Sequence, residues 1–554
     1  MAADVKVTFL GGLGDIGRNC AAIETAGRIV ILDCGQLFPD EITPGVDSIF
    51  PDFRYLEDRW DDVEAVVLTH GHEDHIGALA YLMRHVECKV YGSSFTLGLV
   101  RHRLTEGGTM GKADLRTVRD GETHQIGPFS IEFLPVTHSV PGGLISLITT
   151  PQGVILHSSD FKLDPTPLDG RVTDLARIEA VSADTGIRLL LADSTNADRP
   201  GSTASETEIG PVIDKIFDEY PDQRIITACF ASHVHRVAQI VTSALAHDRV
   251  IATMGLSMKR NMQLARELGI LKIPERSFID ISEVDDFDDG RVCIVSTGSQ
   301  AEERAALAVA AAGNSRWIKL TDNDVIVLSS TPIPGNEAAI ARMINNLTER
   351  GAEVLHSGKM GIHTSGHGKQ DELIALHKAT NPEWFVPVHG EHQHLAAHLD
   401  LAASLGLSDD NMLLARDGDQ ITLGDSGLTI DYKVHPGAYF FRHGFDCSFD
   451  DKPIQDRRTL GNDGFVSLIV PVDFDHDEMV GEPRVVTRGW LPDEFSSELE
   501  SDLIEEVSRA VLDAFAAGAS EPKQVEKKIR RAAGRFVANR TRRRPMIVPV
   551  VLSV

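Results

Sequence analysis

Short apolar runs that end in polar residues recur through the first part of the chain, and they predict buried strands over 5–10, 29–32, 129–136, 153–156 and 189–196. The run Ala65-Val66-Val67-Leu68 belongs to this set, and it leads directly into Thr69-His70-Gly71-His72-Glu73-Asp74-His75. A strand there leaves His70, His72, Asp74 and His75 on the loop at its carboxyl end, with a helix starting at 76–79. From Ser205 the texture changes to strands near 224–229, 249–253, 292–296 and 325–330, separated by amphipathic helical segments, which is the rhythm of a parallel α/β unit. A further strand over 384–388 feeds a helix whose His392, His394 and His398 are expected at the surface. The pattern weakens after Asp419, and 433–455 reads as a linker. Strands over 464–472 and 546–554 then frame a final α/β unit with a helix that turns Val525, Ile529, Ala533 and Phe536 to one side.

At 554 residues the chain exceeds what one hydrophobic core supports. The expected partition is a first domain over 1–205 that resumes at 355–432, an insert over 206–354, the linker, and a carboxyl-terminal domain over 456–554. No apolar stretch approaches a membrane span and no secretory signal opens the chain, so the expectation is a cytoplasmic protein that makes no membrane contact. The six cysteines, at 20, 34, 88, 229, 293 and 447, form no CxxC pair, so any metal must be held by histidine and carboxylate. A formal charge of -28 disfavours broad adhesion to nucleic acid and leaves a polyanion to be gripped locally, with bound cations supplying part of the charge. Against that background the block from Lys523 to Arg544 stands out as basic, and it reads equally as a contact for RNA, a contact for an acidic subunit, or a solvated helix face.

His70 and His72 alternate on an extended segment and so can reach one ion from one side, while Asp74 and His75 can face a second. His138 follows the strand over 129–136, and Asp160 follows that over 153–156. These two supply what a two-metal site still lacks, Asp160 being the natural bridge because each of its oxygens can take one ion. Asp33 closes its own strand and reads as a carboxylate that orients a ligand or a bound water. The stretch Gly12-Leu13-Gly14-Asp15-Ile16-Gly17 also satisfies a dinucleotide fingerprint, with Asp33 at a suitable distance. A strand over 19–25 with a hairpin at Ala26-Gly27 accounts for that segment equally well and leaves the histidines their purpose. Polar ends such as Ala231-Ser232-His233 and Thr297-Gly298-Ser299-Gln300 suit phosphate binding, although ordinary turn chemistry produces the same residues.

Asp33, HGHEDH, His138 and Asp160, in that order and each at a strand end, resemble the metallo-β-lactamase fold, an αββα sandwich. The inserted α/β unit with Asp193, His367 and His389 resembles the β-CASP nucleases. The opening at 11–19, SerThrGlySerGln at 296–300, ProGlyAsnGlu at 334–337, the segment from His363 to Lys369 and the late ArgArgProMet are similar to the bacterial ribonuclease J family across nearly the whole chain. That resemblance implies metal-assisted phosphodiester hydrolysis of single-stranded RNA, as a 5′-to-3′ exonuclease and an endonuclease in RNA maturation and decay. It implies two zinc ions per subunit, with manganese as the alternative. His70, His72 and His138 would hold one ion, Asp74, His75 and His389 the other, and Asp160 would bridge them. His363, Thr364, Ser365, Gly366 and His367 would contact substrate together with Ser232, His233 and His235, and His367, Asp33, Asp74 and Asp193 would take part in the reaction. It further implies a homodimer or homotetramer built through the carboxyl-terminal domain, and partners in an RNA-degradation complex. The chain departs from the family pattern at His233 (usually Asn), Leu256 (usually Arg), Ala301-Glu302-Glu303 (usually Gly-Glu-Pro) and Arg442-His443-Gly444 (commonly Val-Asp-Gly).

Overall fold

A computed structural model describes residues 2–39, 43–333, 335–434, 438–442, 445–448, 452–491 and 496–554. Pro334 and His443-Gly444, quoted above, fall outside it, as does part of the expected linker. The chain divides into two compact units, Met1–Phe38 with Ser48–Tyr439, and Pro39–Asp47 with Phe440–Val554.

Among the described residues of the first unit, eight strands form one sheet, in the order Gly427–Lys433, Asp419–Gly424, Val5–Gly11, Cys20–Thr25, Arg28–Leu32, Val63–Val67, Cys88–Gly92 and Ala113–Thr117. A second sheet runs Trp384–Val388, Ile187–Asp193, Gly153–His157, Leu144–Thr150, Phe129–Pro135 and Thr123–Ile126. Val7, Phe9, Ile23, Val30 and Val67 of the first sheet meet Ile131, Phe133, Ile155, Leu189 and Val386 of the second in one core. The alternate residues Leu190 and Ala192 face the other way, onto Ile178, Leu373, Leu376 and Ala402 of the helices behind that sheet. A strand covered on both faces must be apolar at every position, which is why 189–192 shows no alternation. Two sheets face to face with helices outside are the αββα sandwich, and the fingerprint at 12–17 is the turn between its first strands, not a dinucleotide loop opening a helix. Cys20–Thr25 pairs antiparallel with Arg28–Leu32 across Ala26 and Gly27, both at positive φ.

The inserted sheet is parallel throughout, in the order Val250–Met254, Val292–Ser296, Arg224–Ala228, Asp324–Leu328 and Glu353–His356. Its last strand was not expected from the sequence, and it spans the boundary placed at 354. The hairpin Asp419–Gly424 to Gly427–Lys433 was likewise missed where the pattern seemed to fade; its alternation is visible in Ile421 and Leu423, which are fully buried against the first strand. Strands Ala438–Arg442 and Phe445–Ser448 lie within the expected linker.

In the second unit, Phe465–Asp473 pairs with Arg484–Arg488 on one side and in parallel with Met546–Ser553 on the other. Helices Ser496–Ala516 and Pro522–Thr541 cover one face, where Val466, Leu468, Val470 and Val472 pack against Leu503, Val507, Val525 and Ile529.

Candidate metal centre

Parallel neighbours in a sheet end together, so Arg28–Leu32 beside Val63–Val67, and Gly153–His157 beside Ile187–Asp193 and Trp384–Val388, deliver their carboxyl ends to one edge of the sandwich. Three non-glycine residues at those ends, Asp33, Ser159 and His389, sit at φ of 56, 59 and 54°. This left-handed backbone is strained for any side chain larger than hydrogen, and here it turns the chain sharply back over the sheet edge. Asp74 and His75 differ from expectation in one respect: they occupy the first turn of a short helix, Glu73–Ile76, which starts earlier than 76.

The side chains converge on Asp160. Its Oδ2 lies 3.5 Å from His70 Nε2, 3.2 Å from His75 Nε2, 3.9 Å from His138 Nε2, 3.5 Å from His389 Nε2 and 4.0 Å from His367 Nε2. Three sets of ligand atoms cluster within 4.8 Å of one another: His70, His72, His138 and Asp160; Asp74, His75, Asp160 and His389; and Asp160, Asp193, His367 and His389. In the first set, His72 Nδ1 stands 3.0 Å from His70 Nε2 and 3.1 Å from His138 Nε2. A tetrahedral site with nitrogen bonds of about 2.0–2.1 Å separates its donors by about 3.3 Å, close to these spacings. Asp160 Oδ1 is buried with no hydrogen-bond partner. Lone pairs gathered in this way, with a carboxylate oxygen left unmet, fit a divalent cation.

The outward nitrogens are tied down. His138 Nδ1 donates to Gly366 O at 2.8 Å, and His70 Nδ1 meets Thr69 Oγ1 at 3.0 Å. Asp33 accepts from Thr69 N, Thr69 Oγ1 and His75 Nδ1, the last at 2.7 Å, so it orients an imidazole, as read from the sequence. Asp193 Oδ2 holds His367 Nδ1 at 2.7 Å. Two glycines are required by close approach: a Cβ on Gly35 would stand 1.6 Å from Asp74 O, and one on Gly366 would stand 2.6 Å from His138 Cε1.

Burial drives His70 and His138 well below the ordinary imidazole range and His72 down to about 4, leaving them neutral. Burial also opposes charge on His75 and His389, but Asp160 with Asp74 and Asp33 around the one, and Asp160 with Asp193 and Asp74 around the other, push both well above that range. Burial would raise Asp160 too, and His389, His75 and His70 hold it well below the usual carboxylate range.

The residues expected to contact substrate divide. Thr364, Ser365, Gly366 and His367 border the cluster: Asn196 Nδ2 donates to Ser365 Oγ and to His367 O, both at 3.0 Å, and Thr364 Oγ1 donates to Ala204 O. His363 packs near His233, ring to ring at 6.5 Å, and His233 Nε2 lies 3.2 Å from Glu206 Oε1. His235 faces Asp169, and Ser232 and His235 belong to none of the three clusters. Leu256 is 75% exposed at the start of helix Leu256–Glu267.

Sequence reasoning overlooked Asn19, Thr195 and Asn196. Asn19 Nδ2 lies 3.1 Å from His75 Nε2 and 3.1 Å from Asp74 O. Thr195 Oγ1 donates to Asp193 Oδ1 and meets His389 Nδ1, both at 2.7 Å. The polar run after 189–193 was the available signal for the last two. The surface assignment holds for His392, which is exposed, but not for His394 and His398, which are 8% and 0% exposed. His398 Nδ1 meets Ser194 Oγ at 2.9 Å, beneath Asp193.

Four family profiles match in sequence order around this geometry. Residues 13–195 match the metallo-β-lactamase superfamily, 222–347 the ribonuclease J β-CASP domain, 359–410 the RNA specificity domain of zinc-dependent metallo-hydrolases, and 453–554 the ribonuclease J carboxyl-terminal domain. The chain is similar to ribonuclease J of Mycolicibacterium smegmatis, 40% identical over 99% of this chain and 97% of that one. It is 39% identical to the Mycobacterium tuberculosis ribonuclease J over the same shares, and 37% identical to that of Corynebacterium glutamicum over 100% of this chain and 76% of that one. A crystal structure of a protein of unknown function from Enterococcus faecalis shares the fold, with a TM-score of 0.52 at 16% identity, covering 76% of this chain and all of that one. With its strand-end histidines and carboxylates in one cluster and its relatives matched along almost their whole length, the chain belongs to the ribonuclease J family.

Proposed function

We propose that this protein is a metal-dependent ribonuclease that hydrolyses phosphodiester bonds of single-stranded RNA. The observation that carries this reading is the convergence of five imidazole nitrogens on Asp160 Oδ2 within 4.0 Å. His70, His72 and His138 would hold one divalent cation and Asp74, His75 and His389 a second, with Asp160 common to both sets. Zinc suits this donor set, and imidazole with carboxylate serves manganese as well. When bound, such cations lower the pKa of an attacking water and neutralise charge developing on the phosphate.

The chain's own residues do the rest. Asp33 fixes the His75 ring by accepting its Nδ1–H, and Thr195 does the same office for His389. Asp193 accepts the Nδ1–H of His367, which leaves Nε2 turned toward Asp160 and able to hand a proton to the departing 3′ oxygen. The products therefore carry 5′ phosphates. Thr364, Ser365 and Gly366, clamped by Asn196 and Ala204, line the approach to His367. His363 and Ser232, both half-buried, extend that wall toward the inserted sheet and receive the RNA further from the cut, whereas His233 and His235, expected to touch substrate, are buried against Glu206 and Asp169 and would support the wall from behind.

The action is 5′-to-3′ exonucleolytic with endonucleolytic cutting besides, in RNA maturation and decay. Assembly into a dimer or tetramer uses the second unit, whose edge strand Met546–Ser553 leaves Val550 and Leu552 exposed at 36% and 48%, followed by Val554 at 75%. Leu552→Asp should then lower the mass measured by light scattering. The central test digests one RNA bearing 5′ monophosphate, triphosphate or hydroxyl ends with the metal-loaded protein. Mononucleotides released first from the monophosphate form, and none after chelation, are expected. Intact RNA in every lane would end the proposal.

A further inference from the structure

Ten of the chain's 54 lysines and arginines stand between 523 and 544, a stretch that contains one acidic residue, Glu526. The structure sorts them. Val525, Ile529, Ala533 and Val537 of helix Pro522–Thr541 are buried, so the hydrophobic side of the helix is fully used against its sheet. Lys523, Lys527, Lys528, Arg530, Arg531 and Arg535 are exposed on the remaining surface, and Arg542, Arg543 and Arg544 continue it. Among the described residues only Arg540 has an ion-pair partner, Asp502, while Arg543 reaches the carbonyl of Asn462.

Lys523, Lys527, Arg531 and Arg535 follow one another at i, i+4 spacing and form a row about 18 Å long. Like charges at that spacing destabilise a helix and offset part of the good helix propensity of lysine and arginine, and none of the four side chains belongs to the packed core. The second unit has no need of it either, since its core is closed on the opposite side of the helix. In a chain of net charge -28, an array of unpaired cations on one face is complementary to a polyanion.

We propose that the exposed face of helix Pro522–Thr541, with Arg542, Arg543 and Arg544, is a second contact surface for single-stranded RNA, separate from the metal centre and indifferent to base sequence. This rests on the ribonuclease reading above. The occupant is a phosphodiester backbone, because these side chains are exposed with no ion-pair partner among the described residues, Arg543 alone giving one donor to a carbonyl, and the face carries no exposed aromatic platform on which bases could stack. Its contribution is affinity for RNA, with the reaction left to the first unit.

The test uses the full metal-loaded chain and a cleavage-resistant phosphorothioate single-stranded RNA, with bis(p-nitrophenyl) phosphate turnover as a readout of the metal centre alone. Replacing Lys523, Lys527, Arg531 and Arg535 together by Gln should weaken RNA binding on the order of tenfold at moderate salt and reduce the slope of log affinity against log salt by about 3, since each single-strand phosphate contact contributes about 0.7. Turnover of the small ester should stay unchanged. In the unaltered protein, RNA should protect Lys523, Lys527 and Lys528 from acetylation, a reading that does not require the variant to fold. RNA cleavage by the wild type with no lysine protection and an unchanged salt slope overturns this proposal alone. Loss of self-association in the variant with RNA affinity intact also overturns it, because the face would then belong to a second copy. Failure of the wild type to bind or cut any RNA overturns the ribonuclease reading and this surface together.

Discussion

Two buried polar clusters in the first unit look alike by composition and differ in how their hydrogen-bonding capacity is spent. In the inserted domain, Arg236 is 0% exposed, yet its Nε donates to Glu206 and Gln239, its Nη1 to Ser329 and to Ile362 O at 2.7 Å, and its Nη2 to Glu206 at 2.5 Å. Every donor nitrogen of that guanidinium is met by the protein. At the sheet edge, by contrast, imidazole nitrogens face one another and Asp160 Oδ1 meets nothing. Burial of polar groups is common to both. In the first, His233 Nδ1 also lacks a hydrogen-bond partner, but Arg236 and Lys162 already bring positive charge to Glu206. The second gathers imidazole and carboxylate lone pairs with no lysine or arginine among them, and that is a demand an outside cation can meet.

The largest effect that sharpens this contrast is His72→Ala. It should remove bound metal, counted by plasma emission, and take RNA cleavage to the uncatalysed background without unfolding the chain. A fully active His72→Ala protein would erase the distinction. His367→Ala comes next: metal content should stay whole while the cleavage rate falls about 10²–10⁴-fold, the range for a general acid. Arg236→Ala should do the opposite of both. It strands Glu206 without its main partner and should cost about 3–5 kcal/mol in urea unfolding, with no direct effect on metal stoichiometry in the protein that remains folded. Thr195→Val, which strips the hydroxyl from His389 Nδ1, should weaken metal affinity about 10–100-fold by competition with a chelator.

The smallest expected effect is one of pH. Burial works against charge on Glu206, but His233, Arg236 and Lys162 outweigh it and hold the carboxyl below its ordinary range. Glu206 therefore binds its proton less readily folded than unfolded. The stability it contributes is complete above about pH 4.5 and drains away as pH falls below that value. Melting temperature should drop less steeply over that acid range in Glu206→Gln than in the wild type. Parallel slopes would mean that Glu206 is not the group being titrated.

The metal cluster was legible because its signal is local. Three histidines and an aspartate within six positions after an apolar run have few other reasons to crowd together, and His138, Asp160 and His389 each fall just past the carboxyl end of their own strand. Asn19 acts through contacts across the fold, to Asp74 and His75, that no spacing announces; Thr195 and Asn196 stand in the polar run after 189–193, but their reach to His389, and to Ser365 and His367, also crosses the fold. His398 was misjudged for a different reason. A run of histidines suggests solvent, but His394, His398 and Ala402 share one side of helix His392–Ser404 at i, i+4 spacing, and that side is buried. The hairpin Asp419–Gly424 to Gly427–Lys433 was lost because its outer strand is exposed at Thr429 through Lys433, which weakens the alternation.

The first strand, Val5–Gly11, takes as its neighbour Asp419–Gly424, and the cluster seeded at His70 is not complete until His389. A ribosome working at about 5–20 residues per second needs roughly 15–65 s to travel from His70 to His389. Through that interval the emerging polypeptide carries its most recognisable histidines but lacks a full ligand set, so it has no means to cut the messenger that encodes it. A chain released before His389 should hold less metal and leave RNA whole.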